Sequence, residues 1–260
     1  MSNKTIGFIG GGRIARILLA GWKRAGQLPA KIVVSDCDAA TLVRLKAHFP
    51  AIETAPGNSA AAAQDIVFLA VHPPVIAEAA TGIRGSVRPE AIVVSLAPRF
   101  TIAKLAALLG GFARVARVIP NAPSVVDFGF NPVAFGSALT EADRAALAEL
   151  FTSLGDFPEV AEEKLEAYAV LSGMGPTYFW FQLQALRDVA AGFGLNDAET
   201  APALKRMVCG ATRALLESGL APAEVMDLIP VKPLAEMEGQ VSEMYRTRLP
   251  GIYQKIKPGS

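Results

Sequence analysis

Six consecutive residues near the start of the chain carry the strongest chemical signal. Gly10-Gly11-Gly12-Arg13-Ile14-Ala15 is a GxGxxA pattern that follows a strand-like run (Ile6–Ile9) and opens a helix-like one. In such a turn the first glycine permits the tight bend, the second lets the backbone approach a pyrophosphate, and the alanine lets the helix pack closely on its strand. The free N–H groups of the helix N-terminus then face the anion. About twenty residues further on, Asp36 ends the next strand-like run, where a carboxylate can accept hydrogen bonds from an adenosine ribose. Together these residues predict a dinucleotide site. Asp36 and Arg13 pull in opposite directions on its identity. The carboxylate repels a 2′-phosphate and favours NAD(H), whereas the arginine can neutralise that phosphate and favours NADP(H). The reading leans to NAD(H) and keeps NADP(H) open. The plainer alternative is a structural glycine turn with a strand-end acid and a solvated arginine.

Such a turn needs a sheet to carry it, and the flanking pattern supplies one. Thr5–Ile9, Lys31–Ser35, Asp65–Val71, Ala91–Leu96 and Arg114–Ile119 are short runs rich in Val and Ile, as strands buried on both faces are. Between them, Arg13–Ala25, Ala39–Phe49, Pro74–Ile83 and Ile102–Leu109 read as helices. Strand-helix alternation of this kind predicts an α/β fold, a doubly wound Rossmann sheet covered on both faces. Three later turns fall at strand carboxyl ends, the edge where such a sheet binds ligands: Ala70-Val71-His72-Pro73-Pro74, Ser95-Leu96-Ala97-Pro98-Arg99 and Arg117-Val118-Ile119-Pro120-Asn121-Ala122-Pro123.

Beyond Pro120 the pattern weakens. Asn131–Gly136 reads as a strand, Glu141–Ser153 as a helix capped by Thr140, and Phe157–Ala161 as a last short strand. From about Glu162 onward only helices are legible: Leu165–Leu171, Thr177–Gly192 and Ala198–Ser218, apolar over much of their circumference. About a hundred residues cannot bury several such helices alone, so the expectation is a homodimer formed through them. The expected domains are residues 1–158, binding the dinucleotide, and 159–260, an all-helical dimerisation and substrate domain.

Composition narrows the function classes. Of the 260 residues 52% are hydrophobic and 19% charged, which predicts a sizeable core rather than disorder. Lys and Arg number 25 against 24 Asp and Glu, so no basic excess points to nucleic acid. Cys37 and Cys209 stand far apart and the two histidines, His48 and His72, form no HExxH pair, so no metal site is expected. No apolar stretch approaches the ~20 residues of a membrane span, and the direct run from Met1 into a strand leaves no room for a signal peptide. The expectation is a cytoplasmic protein with neither membrane nor nucleic-acid partners.

Leu171-Ser172-Gly173-Met174-Gly175-Pro176-Thr177-Tyr178 completes a series of segments that, in this order, resembles the pyrroline-5-carboxylate reductase family. The positions that carry the resemblance are Gly10, Gly12 and Ala15; Ala70, Val71 and Pro73; Ser95 and Ala97; Pro120, Asn121 and Pro123; and Ser172, Gly173, Gly175, Pro176 and Tyr178. Glu162 falls at the family's glutamate. The resemblance spans about residues 5 to 220. It implies transfer of a hydride from NAD(P)H to the carbon of a cyclic C=N bond, chemistry in which positioning carries most of the catalysis. It places Gly11, Ile14, Ala70, Val71, His72, Pro73, Ser95, Ala97 and Asn121 by the cofactor, and Ser172 and Glu162 by the substrate.

The departures are equally informative. His72 stands for the family's lysine, Pro74 for a glutamine, Ala122 and Ala169 for threonines, and Met174 for a serine. The family's SPGGTT segment is replaced by Leu228-Ile229-Pro230-Val231-Lys232-Pro233-Leu234, in which Lys232 is the one polar side chain able to meet a carboxylate. Two other readings stay open on sequence alone. One is a 3-hydroxyacid dehydrogenase, although Thr177–Ala185 lacks the lysine such an enzyme needs. The other is a nucleotide-binding sensor or interaction protein without turnover.

Overall fold

A computed structural model describes residues 4–259. Seven strands form one sheet in the order β3-β2-β1-β4-β5-β6-β8: β1 (Ile6–Ile9), β2 (Ile32–Ser35), β3 (Glu53–Ala55), β4 (Ile66–Leu69), β5 (Ile92–Ser95), β6 (Val115–Val118) and β8 (Val133–Phe135). The first six pair in parallel, and β8 runs antiparallel to β6. The order reverses between β1 and β4, which opens a crevice at the carboxyl ends of the strands. The doubly wound reading of the sequence is correct.

Helices cover both faces because both faces are apolar. On one side α1 (Arg13–Arg24), α2 (Ala39–His48) and α6 (Glu141–Thr152) bury Trp22, Leu45 and Phe151 against Phe8 and Phe68. The Phe8 and Phe68 rings stack at 5.0 Å, and the Trp22 Nε1–H donates to the Leu150 carbonyl at 2.7 Å. On the other side α3 (Asn58–Ala62), α4 (Ile76–Gly82) and α5 (Ile102–Leu108) pack Ala61, Ile76 and Leu105 on Ile9, Val67 and Val93. Here α3 approaches so closely that a Cβ at Gly7 would stand 1.8 Å from the Ala61 carbonyl oxygen. Thr140 caps α6 as expected, in a reciprocal box with Asp143. Burial alone would raise the Asp143 carboxyl, but hydrogen bonds from the Thr140 N–H and hydroxyl and the Arg114 charge outweigh it and hold the group below its ordinary range.

Two expectations are corrected and one is narrowed. The strand expected at Asn131–Gly136 is β8, which spans Val133–Phe135, and Gly129–Phe130 just before it forms β7 in a separate two-stranded pair with β9 (Gly155–Asp156). Phe157–Ala161 is not a strand: it meets the sheet through one bridge, Val133 to Glu159, and Pro158 has no N–H to extend the ladder. The helix expected at Leu165–Leu171 is α7 (Leu165–Tyr168) running into a wider π-helical turn over Ala169–Gly173.

By packing, the chain divides into two compact units, Met1–Met174 with Gly251–Ser260, and Gly175–Pro250. The division falls later than the boundary expected after residue 158. Residues 162–174 stay with the sheet because Arg117 of β6 bonds Glu162 and Glu166, and because Ile119, Ala134, Leu165 and Ala169 share an apolar cluster. The second unit holds α8 (Pro176–Gly192), α9 (Asp197–Glu217), α10 (Pro222–Asp227) and most of α11 (Ala235–Ile256), a helix the sequence reading did not identify. Within the chain α8 and α11 bury no residue and α9 buries Thr200 alone. Among the described residues no helix is long and apolar enough to cross a membrane.

Candidate functional site

The crevice at the carboxyl edge of the sheet is built on the glycine turn. Gly10 adopts φ +104°, a conformation open to glycine, and a Cβ there would lie 2.8 Å from the Ala70 carbonyl oxygen. That close approach draws the turn after β1 against the end of β4. Gly12 is the N-cap of α1, yet no side chain caps the helix and its first turn carries no acid. The N–H groups at this end are therefore left for an anion. A Cβ built on Gly12 meets nothing within 4 Å, so the glycine faces open space rather than protein. Ala15, one turn into the helix, is fully buried against the sheet.

Asp36 ends β2 beside this turn. Its Oδ2 accepts the Gly11 N–H at 2.8 Å and its Oδ1 accepts the Asp38 N–H at 2.8 Å. The carboxylate thus ties the glycine turn to the neighbouring strand. Each oxygen keeps a second lone pair that can take a ribose hydroxyl.

A cleft of about 730 Å³ runs along this edge and brings most of the sequence-chosen residues together. Gly10, Gly11, Gly12, Arg13 and Ile14 form its floor, Asp36 one end, and Ala70, Val71, His72 and Pro73 after β4, with Ala97 after β5, the rest of the wall. Sequence reading missed Arg16 and Arg44, which also line it. Arg16 was readable, since it lies three residues after Arg13 and so on the same helix face. Arg44 depends on how α2 is placed against α1, which no local spacing shows. Three arginines against Asp36 make this end of the cleft cationic, although Arg44 also pairs with Asp38 at 3.4 Å.

The remaining candidates stand elsewhere. Ser95 is fully buried in β5 and its Oγ has no hydrogen-bond partner among the described residues. Asn121 is buried with its side-chain amide already bonded: Nδ2 donates to the Ser172 carbonyl at 3.1 Å, and Oδ1 accepts the Phe130 N–H at 3.0 Å. Asn121 therefore fixes the turn that carries Ser172. The Ser172 hydroxyl bonds back to the Tyr168 carbonyl at 3.0 Å. Glu162 Oε1 accepts the Ile102 N–H at 2.7 Å and the Arg117 Nη1–H at 3.0 Å, so its carboxylate supports the first turn of α5. Lys232 is exposed in the second unit, between α10 and α11.

Known proteins match both the sheet-forming part and the helical part of the chain. A family model described as NADP oxidoreductase coenzyme F420-dependent matches residues 5–99, and one described as pyrroline-5-carboxylate reductase dimerisation matches residues 162–233. The chain is 31% identical over 232 residues to a pyrroline-5-carboxylate reductase of Methanosarcina acetivorans, covering 88% of this chain and 85% of the relative. A solved pyrroline-5-carboxylate reductase of Coxiella burnetii superposes with a TM-score of 0.69 at 26% identity, over 98% of this chain and 95% of that one. The pyrroline carboxylate reductase of Plasmodium falciparum, solved with NADP bound, shares the fold with a TM-score of 0.82 at 20% identity, over 99% and 98% of the two chains.

Proposed function

The chain belongs to the pyrroline-5-carboxylate reductase family, and from that premise we propose that it is an NAD(P)H-dependent reductase of a cyclic imine. The observation that carries the proposal is the anion cradle at Gly12, open where a phosphate would approach and flanked by Asp36. The residues fit a dinucleotide along the sheet edge. The N–H groups of the first turn of α1 meet the pyrophosphate, Asp36 meets the adenosine ribose, and Ala70–Pro73 with Ala97 border the far half. When bound, the reduced nicotinamide supplies the hydride. The protein's task is to orient the imine and exclude water, which needs no acid–base dyad, because an imine basic enough to protonate brings its own activation. Asp36 favours NAD(H). Arg13, Arg16 and Arg44 give the same end enough positive charge to accept NADP(H), the ligand of the Plasmodium falciparum relative.

The active assembly in this proposal is a homodimer through the second unit. Phe193, Leu216, Phe181 and Leu186 are 81%, 75%, 69% and 42% exposed in the single chain, an apolar surface that water does not tolerate on a stable monomer. Sedimentation at micromolar concentration is expected to return a dimer, burying on the order of 2,000 Å² or more as obligate interfaces do. A soluble, stable monomer at that concentration contradicts it.

The substrate is proposed to differ from pyrroline-5-carboxylate itself. The Leu228–Leu234 segment that replaces SPGGTT has no Ser, Thr or Gly, and Pro230 and Pro233 have no N–H to donate. A ligand built around those donors loses about two hydrogen bonds, each worth ~1–3 kcal/mol when its partner stays buried and unpaired. Steady-state kinetics over a panel of cyclic imines, with NADH and NADPH, test both parts of the proposal. Turnover of at least one imine is expected, with pyrroline-5-carboxylate ten to about a thousand times less efficient than the ~10⁵ M⁻¹s⁻¹ of an ordinary enzyme. No turnover of any imine sinks the reductase reading. Full efficiency on pyrroline-5-carboxylate sinks only the altered specificity.

A further inference from the structure

Arg99, in the turn between β5 and α5, holds φ at +83°. This is the left-handed region, which glycine enters freely and a long L side chain rarely does. The surroundings impose it. Glu166 Oε1 accepts the Arg99 N–H at 3.2 Å, and three residues later Glu162 Oε1 accepts the Ile102 N–H at 2.7 Å. Both carboxylates are in turn bonded by Arg117, whose side chain is completely buried. Two backbone N–H groups of one turn are therefore gripped by a buried ionic network rooted in β6. An outlier held this firmly points to a use for the side chain it projects.

Arg99 lines a second cavity, of about 620 Å³, with Pro73, Pro74, Phe100 and Lys104. Pro73 also lines the dinucleotide cleft, and Ala97 and Pro98, the residues just before Arg99, border that cleft. The second cavity thus adjoins the cleft on the side of β4 and β5, away from Asp36 at the adenosine end. Among the described residues that line it, the charged side chains are Arg99 and Lys104, both cationic. A guanidinium beside an ammonium, next to an apolar wall of prolines and phenylalanine, fits a small apolar ring that carries a carboxylate.

We propose that Arg99 is the carboxylate-recognising residue of the substrate site. This rests on the imine-reductase reading above, and the test separates the two. Calorimetry on the full chain with saturating dinucleotide compares two stable rings, pyrrolidine-2-carboxylate and pyrrolidine, in wild type, Arg99→Gly and Arg99→Lys. In Arg99→Gly the carboxylated ring is expected to bind about 10- to 100-fold more weakly, the loss of one charge-assisted contact. Pyrrolidine binding stays unchanged. Arg99→Lys, which keeps the charge without the planar fork, falls between. The glycine variant melts at or above the wild-type temperature because +83° suits it, which separates lost recognition from lost fold. Equal binding of the carboxylated ring by wild type and Arg99→Gly overturns the proposal, even in an enzyme that reduces imines. A protein that reduces no imine yet loses carboxylate binding in Arg99→Gly refutes the reductase reading and leaves the assignment of Arg99 in place.

Discussion

Gly12→Val is expected to abolish binding of NAD(P)H while leaving the protein folded. A Cβ at this position meets no protein atom within 4 Å, so the valine costs no core contact, and φ −74° is ordinary for any residue. The stability cost is confined to replacing an N-cap glycine, roughly 1 kcal/mol. The same openness makes the valine damaging to the ligand. Its methyl groups occupy the space through which a phosphate reaches the N–H groups of the first turn of α1. Two charge-assisted hydrogen bonds lost at ~1.5–3 kcal/mol each weaken binding by a factor of about 10² to 10⁴. Calorimetry with NADH and NADPH, alongside a melting curve, reads both effects. Gly10→Val offers the contrast: at φ +104°, with the Ala70 carbonyl oxygen 2.8 Å from the new Cβ, it should fail to fold properly. A folded Gly12→Val variant that binds dinucleotide as tightly as wild type removes the glycine turn from the site.

The glycine turn was legible because its chemistry is local. A strand, three glycines and a helix start lie within ten residues, and each has a conformational reason to be there. Asp36 was legible for a related reason, since the strand that ends at Ser35 fixes its height in the sheet. Its grip on the Gly11 N–H was not, because that needs the register between β1 and β2. β3 escaped notice since Glu53–Ala55 is a half-exposed edge with no apolar run to mark it. α11 escaped because Ala235–Ile256 is polar enough to read as loop and buries none of its described residues within the chain. Residues chosen by position in a motif fared unevenly. Asn121 and Glu162 are both well placed in sequence, but Asn121 bonds neighbouring backbone, and Glu162 bonds the Ile102 N–H and the Arg117 guanidinium. Arg99 was legible only as the last residue of a turn at a strand's carboxyl end, with nothing to single out its side chain. Only its backbone angle and the cavity beside it bring it forward.

The network that holds the Arg99 turn should also bear heavily on the stability of the fold. Arg117 is wholly buried, Glu166 is 2% exposed in its side chain, and Glu162 is 31% exposed. Removing the guanidinium affects the two carboxylates differently: Glu162 can take up water, whereas Glu166 is left charged in an apolar site. Breaking one side of a buried pair costs about 3–5 kcal/mol, and Arg117→Met is expected to fall in that range. For a chain of this size that lowers the melting temperature by roughly 10 °C. The cost should come mainly from the stranded charge and not from the lost attraction. Arg117→Met combined with Glu166→Leu, which removes both charges and fills similar volume, is therefore expected to recover most of the loss. It should not recover the grip on the turn, because the Arg99 N–H then has no carboxylate to meet. Denaturant unfolding of the two single variants and the double variant measures the coupling directly. A single Arg117→Met variant within about 1 kcal/mol of wild type would show that the network does not bear on stability, since a surface ion pair is worth no more than that.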